Sequence, residues 1–167
     1  CEYRFEGGPN ENEGELVLRN PGVALGFYNY PKETARCFKD GWNYSGDIMR
    51  QDEDGWFYFV GRVDDMFVCG GENIFPGEVE SMLEKSADVS QAVVLPFSHD
   101  TKGEVPYAFV VPERGAALAE EDVKSFALEN GPAYAHPRRV FILSEIPLTG
   151  TNKTDREALR ALAGKEA

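Results

Sequence analysis

Four short segments of the 167-residue chain carry side chains able to do chemistry. Tyr44-Ser45-Gly46-Asp47 sets a carboxylate beside a glycine. An ionised Asp accepts hydrogen bonds at both oxygens, so Asp47 could hold two vicinal hydroxyls, as on a ribose. It could equally tie down a turn. Gly61-Arg62-Val63-Asp64-Asp65 places a guanidinium fork beside paired acids. Arg62 could read hydroxyl or phosphate oxygens, or form a salt bridge with Asp64 or Asp65. In Gly70-Gly71-Glu72-Asn73-Ile74, two glycines let the backbone turn sharply or lie close against a narrow ligand. A simple hairpin turn accounts for them as well. Pro147-Leu148-Thr149-Gly150-Thr151-Asn152-Lys153 ends on a lysine in a polar loop. A loop lysine free to extend can deliver positive charge to a pentavalent phosphorus transition state, although exposed lysines are common on any surface.

Those segments need elements to hold them. Residues 15–19 read as a short strand entered by Gly14 and closed by the Asn20-Pro21-Gly22 turn. Residues 43–49 and 56–60 flank the acidic turn Asp52-Glu53-Asp54-Gly55 and predict a β-hairpin. Residues 31–36 predict a short helix with Pro31 in its first turn. Residues 1–63 therefore read as part of a β-structure whose remaining strands come from upstream.

After Arg62 the texture changes. Residues 66–69 predict a brief strand stopped by Gly70-Gly71, and Pro76 opens a helix with Val79, Met82 and Leu83 on one face. Strands follow over 92–97 and 107–111, separated by Asp100-Thr101-Lys102-Gly103. A helix from about Ala119 turns Val123, Phe126 and Ala127 inward. A strand over 139–143 and a last helix behind the capping box Thr154-Asp155-Arg156-Glu157 complete the pattern. That order gives a compact α+β domain of about 100 residues. The boundary near Asp64 lacks a flexible linker, which suits a hinge better than a tether.

Composition narrows the partners. The net charge is −12, from 17 Lys+Arg against 29 Asp+Glu. An acidic surface repels phosphate backbones, which argues against a nucleic-acid partner. An anionic ligand must then be gripped by a few placed cations, with Lys153, Arg62 and Arg138 as candidates. Cys1, Cys37 and Cys69 form no CxxC pair, which argues against a disulfide framework and a zinc site. Sparse cysteines suit a reducing, cytoplasmic setting. No apolar run reaches the roughly 18 residues of a transmembrane helix.

Taken in order, these segments resemble the adenylate-forming superfamily of acyl-CoA synthetases, peptide-synthetase adenylation domains and beetle luciferases. The matching text is Gly14-Glu15-Leu16, Gly26-Phe27-Tyr28-Asn29, Asp40-Gly41-Trp42, Ser45-Gly46-Asp47, Gly61 through Asp65, Gly70 through Ile74, Pro76-Gly77-Glu78-Val79-Glu80 and Pro147 through Lys153. The resemblance implies a mobile C-terminal lid domain over 64–167, with a small three-stranded sheet packed by helices and a short β-hairpin. Residues 1–63 are then the β-rich end of a large N-terminal ATP-binding domain, with the hinge near Asp64.

It also implies an ATP-dependent acid–thiol ligase that forms acyl-AMP and then acyl-CoA, using ATP, Mg2+ held mainly by the N-terminal part, and CoA as co-substrate. Asp47 matches the ribose-binding carboxylate, Arg62 its supporting arginine, Asp64 the hinge and Lys153 the lysine of adenylation. Gly71, flanked by Gly70 and Glu72, matches the lining of the pantetheine tunnel. Tyr134 and Arg138 fall where relatives contact the adenine and phosphates of CoA. Val68 stands where some relatives carry a basic residue. The phosphate loop and acyl pocket are expected upstream, so this chain alone is expected to be inactive, and fatty, aromatic and short-chain acids are all compatible with it. Two alternatives are a peptide-synthetase adenylation domain and a catalytically degenerate lid kept as an interaction module.

Overall fold

Turn chemistry delimits the first strands. Asn20 Oδ1 accepts the Gly22 N–H at 2.8 Å and the Asn20 carbonyl accepts the Val23 N–H, closing the turn after residues 13–19. In the acidic turn, Asp52 Oδ1 accepts N–H groups from Trp56 and Asp54, and Tyr58 donates to Oδ2 at 2.8 Å. Led by the Trp56 N–H, these bonds hold the Asp52 carboxyl below its ordinary value. The computed structural model, which describes residues 1–165, divides into two compact units, Cys1–Asp65 and Met66–Ala167.

The first unit is a five-stranded antiparallel sheet of β1 (Glu2–Asn10), β2 (Glu13–Arg19), β3 (Phe38–Lys39), β4 (Trp42–Gln51) and β5 (Phe57–Arg62). Its order is β1-β2-β4-β3, with β5 also on β4. Helix α1 (Pro31–Cys37) has its Pro in the first turn, as expected from the residue's fixed φ. Strand β1 was not anticipated. Its alternating Tyr3 and Phe5 give way to Gly7-Gly8-Pro9, a breaker signal that hides a strand pairing with β2 through Glu15 and, after an irregularity, Glu13.

The second unit opens with the hairpin β6 (Phe67–Cys69) and β7 (Glu72–Ile74), followed by α2 (Pro76–Leu83), β8 (Val89–His99), β9 (Gly103–Pro112), α3 (Glu120–Asn130), β10 (Arg139–Ile142) and α4 (Arg156–Lys165). Strand β8 pairs antiparallel with β9, and β10 pairs parallel to it. The hairpin joins β9 at Cys69↔Gly103. This is the expected α+β arrangement of three strands plus a hairpin. Alternation splits the core: Ala92, Val94 and Val140 enter a cluster with α2 and α3, while Val93, Leu95 and Phe141 enter one with Leu159 of α4. A sheet buried on both faces explains why its strands read as continuous apolar runs. The last helix is capped one residue later than expected: Asp155 Oδ1 accepts the Ala158 N–H at 3.0 Å.

Helix glutamates cover both edges of the three-stranded core. From α2, Glu84 and Glu80 accept the Ala92 and Val94 N–H groups of β8 at 3.0 and 2.8 Å. From α3, Glu120 accepts the Val140 N–H of β10 at 3.0 Å and pairs with Lys124. An unpaired strand edge invites association with another chain, and these carboxylates remove that opportunity.

Burial pushes the Glu120 carboxyl up, but Lys124 and the Val140 N–H outweigh it and hold it below its ordinary 4.5. Its stabilisation is thus present above that value and lost as pH falls through the lower folded one. Glu120→Ala leaves the N–H of buried Val140 without its acceptor, at an expected cost of about 1–3 kcal/mol. Urea unfolding should show a lower midpoint with unchanged slope. Glu121→Ala, at a side chain 82% exposed, should shift the midpoint little.

Candidate functional site

In the first unit, Asp47 stands on a bulge. Glu15 pairs with Ile48 and Val17 with Tyr44, so three residues of β4 (Ser45, Gly46 and Asp47) face the single residue Leu16 of β2. Bulges re-aim side chains and are enriched beside active sites. Gly46 is required here: its φ is +73°, and a Cβ would lie 3.1 Å from Arg62 Nη2. Arg62 is the ladder partner of Asp47 on β5, and its Nη1 donates to Asp47 Oδ1 at 2.7 Å. The structure therefore brings Asp47 and Arg62 together. Their side chains are 35% and 47% exposed, where an ion pair contributes only about 0–1 kcal/mol. Stability is a poor reason for the pair. A carboxylate with one oxygen anchored and the other open to solvent-side donors is a suitable acceptor for a diol.

Asp64 sits in a 3-10 turn, Val63–Asp65, at the end of the unit. Its carboxylate takes Arg36 Nη1 at 3.1 and 3.3 Å. Glu15, Arg36, Tyr44, Gly46, Arg62 and Asp64 line a cleft of about 140 Å³. Ligand pockets typically begin near ~300 Å³, so this cleft suits the edge of a ligand rather than a whole nucleotide.

In the second unit, Gly70 and Gly71 form the two-residue turn between Cys69 and its partner Glu72. Their φ angles of +61° and +95° are those of a type I′ turn, the geometry that matches strand twist in tight hairpins. Neither glycine has an atom within 4 Å of an added Cβ. Backbone conformation, not crowding, sets the local requirement.

Lys153 is held on a closed turn rather than a loose loop. Its carbonyl accepts the Thr149 N–H at 2.7 Å, its N–H donates to Thr149 Oγ1 at 3.3 Å, and Leu148 bridges to Thr154. Its ammonium makes no ion pair with a described residue. The backbone is fixed while the charge stays exposed.

Tyr134 lines an open groove with Asn73, Ile74, Phe75 and Glu78, which brings it to the strand that follows the glycine turn. Arg138 is not in that groove. Its Nη1 lies 3.1 Å from His136 Nδ1, and because a guanidinium only donates, the ring nitrogen must accept. Burial first, then the charges of Arg138 and Lys124, push His136 below its ordinary value, which keeps the ring neutral near pH 7.

The AMP-binding enzyme C-terminal domain family matches residues 78–153, a stretch that lies inside the second unit and ends on Lys153. Over that stretch the second unit is similar to AMP-binding enzyme C-terminal domains. Across both units, the chain is 38% identical over 152 residues to a 2-succinylbenzoate–CoA ligase of Geobacillus kaustophilus, covering 91% of this chain and 31% of the ligase. It is 39% identical over 155 residues to a medium/long-chain-fatty-acid–CoA ligase of Mycobacterium tuberculosis, covering 89% and 27%. The o-succinylbenzoate CoA synthetase of Bacillus subtilis, solved with its acyl-adenylate intermediate, superposes with a TM-score of 0.82 at 29% identity, over 96% of this chain and 34% of that one. The chain thus spans about a third of the length of the relatives it matches.

In the first unit, sequence reasoning passed over Glu15 and Arg36 as site residues, whose partners lie 31 and 28 residues away with no local signal. In the second unit it passed over His136, which the short spacing to Arg138 could have flagged.

Proposed function

We propose that this chain forms the C-terminal third of an ATP-dependent carboxylic acid–CoA ligase, contributing the end of the nucleotide-binding domain and a lid that moves about a hinge at Asp64. The observation that carries the reading is the Asp47–Arg62 pair, a carboxylate presented on a bulge with one oxygen anchored at 2.7 Å. In the first step, a carboxylate oxygen of the acid attacks the α-phosphorus of ATP, forming the acyl-phosphate bond and expelling pyrophosphate. In the second, the CoA sulfur, having released its thiol proton to solvent, attacks the acyl carbon, and AMP leaves with the electron pair of the broken C–O bond.

Asp47 accepts the ribose hydroxyls, and Arg62 fixes its orientation. Lys153 supplies charge to the oxygens of the α-phosphate as they become more negative. Gly70, Gly71 and Glu72 border the pantetheine path, with Tyr134 and Arg138 beside the CoA nucleotide. No cluster of three metal-ligating side chains occurs among the described residues, and Mg2+ would be held mainly by the N-terminal part of the ligase.

The naming of the matched relatives as CoA ligases favours CoA over a carrier-protein arm as acceptor. The free thiols Cys1, Cys37 and Cys69 suit a cytoplasmic protein, and no described helix is long and apolar enough to cross a membrane. Acid-dependent ATP–pyrophosphate exchange across a panel of aliphatic and aromatic acids tests the reading. A full-length protein carrying this chain should exchange with one acid class and release thioester when CoA is added. Absence of exchange with every acid would instead support an interaction module.

A further inference from the structure

The bulge that presents Asp47 has backbone groups its ladder cannot satisfy. Extra residues in a bulge lose their cross-strand partners, and a half-buried N–H without an acceptor is costly. The Asp47 N–H donates locally, to Ser45 Oγ at 3.1 Å. The Gly46 N–H instead crosses to β2 and donates to Glu15 Oε1 at 2.9 Å. From its ladder position opposite Ile48, Glu15 thus reaches the centre of the bulge. Arg62 crowds the same glycine and binds the Asp47 carboxylate. The bulge is fixed by a carboxylate on its backbone and by a guanidinium on its functional side chain.

Glu15 is a carboxylate, and as a direct contact it would repel the anionic phosphates of a nucleotide. Its value here is as the acceptor for the Gly46 N–H, a backbone donor inside the bulge. Small errors in presenting a binding group are expensive, and neighbours that lock it prevent them. We propose that Glu15 is a positioning residue for nucleotide binding: by holding the Gly46 N–H it sets the angle at which Asp47 meets the ribose hydroxyls, without touching the nucleotide. The proposal rests on the reading of Asp47 as the ribose carboxylate.

Steady-state kinetics on a full-length ligase carrying this chain tests it, with ATP and the acid varied separately. Glu15→Ala should raise KM for ATP about tenfold, the scale of one hydrogen bond to a charged group. KM for the acid and kcat should stay within about twofold, as expected when ground-state and transition-state binding fall together. Glu15→Gln keeps an acceptor oxygen and should recover most of the loss. Should the alanine variant fail to fold, Glu15→Asp carries the test, because it keeps the charge and withdraws the acceptor by one methylene. It too should raise KM for ATP alone.

Asp47→Ala is measured alongside. If it raises KM for ATP while both Glu15→Ala and Glu15→Asp leave it unchanged, Glu15 is no positioning residue and the role of Asp47 survives. If Asp47→Ala has no effect on KM for ATP, the ribose reading and the Glu15 proposal fall together. Equal rises in both KM values for the Glu15 variants would make its role merely structural and overturn the proposal.

Discussion

Lys153→Ala in a full-length ligase carrying this chain is expected to cut acid-dependent ATP–pyrophosphate exchange by at least ~10²-fold, the scale of losing one preorganised donor to a transition state. Charge grows on the α-phosphate oxygens as the acid oxygen approaches and pyrophosphate departs. An ammonium brought to those oxygens stabilises that charge. Two hydrogen bonds to Thr149 and the Leu148–Thr154 bridge fix the Lys153 backbone, and the exposed ammonium has no described ion-pair partner to give up. Thioester formation from supplied acyl-AMP should largely survive, because its bond changes occur at the acyl carbon with the phosphorus already substituted. The melting temperature should hardly move, since substitutions at such exposed positions are usually near neutral. Equal losses in both half-reactions would assign Lys153 to the structure or to both poses.

The parts of this fold that local chemistry dictates were legible in the sequence. Asn20-Pro21-Gly22 and Asp52 through Gly55 announced turns because their side chains bond their own backbone. Pro31 and Pro76 announced helix starts through a fixed φ. Val79, Met82 and Leu83 announced the buried face of α2 through spacing alone. What stayed hidden depends on pairing across distance. The register shift that places Ser45, Gly46 and Asp47 opposite Leu16 exists only when β2 and β4 meet. Glu15 could not be read as the acceptor for Gly46 before that. The same holds for Glu80, Glu84 and Glu120, which look like solvent-facing helix residues and instead satisfy strand N–H groups. The residues proposed for the site were picked out by type, whereas the Glu15 bond to the Gly46 N–H was not visible that way.

Gly71→Leu is expected to slow thioester formation by at least ~10²-fold while leaving pyrophosphate release near its normal rate, because a displaced reacting thiol loses rate on that scale. Two separate effects of the substitution must be distinguished. Gly71 has φ of +95°, and a non-glycine residue in left-handed backbone costs about 1–2 kcal/mol. That strain acts on the hairpin in both steps. The added side chain, by contrast, meets nothing within 4 Å of its Cβ, so a block confined to the second step has to come from a ligand that passes there. Gly71→Asn separates the two contributions, since Asn tolerates the left-handed region and still adds bulk. It should also impair the CoA step, with less loss of stability than leucine. If leucine slows both half-reactions and asparagine slows neither, the glycine serves only its turn. A normal thioester yield from the leucine variant would remove Gly71 from the pantetheine path altogether.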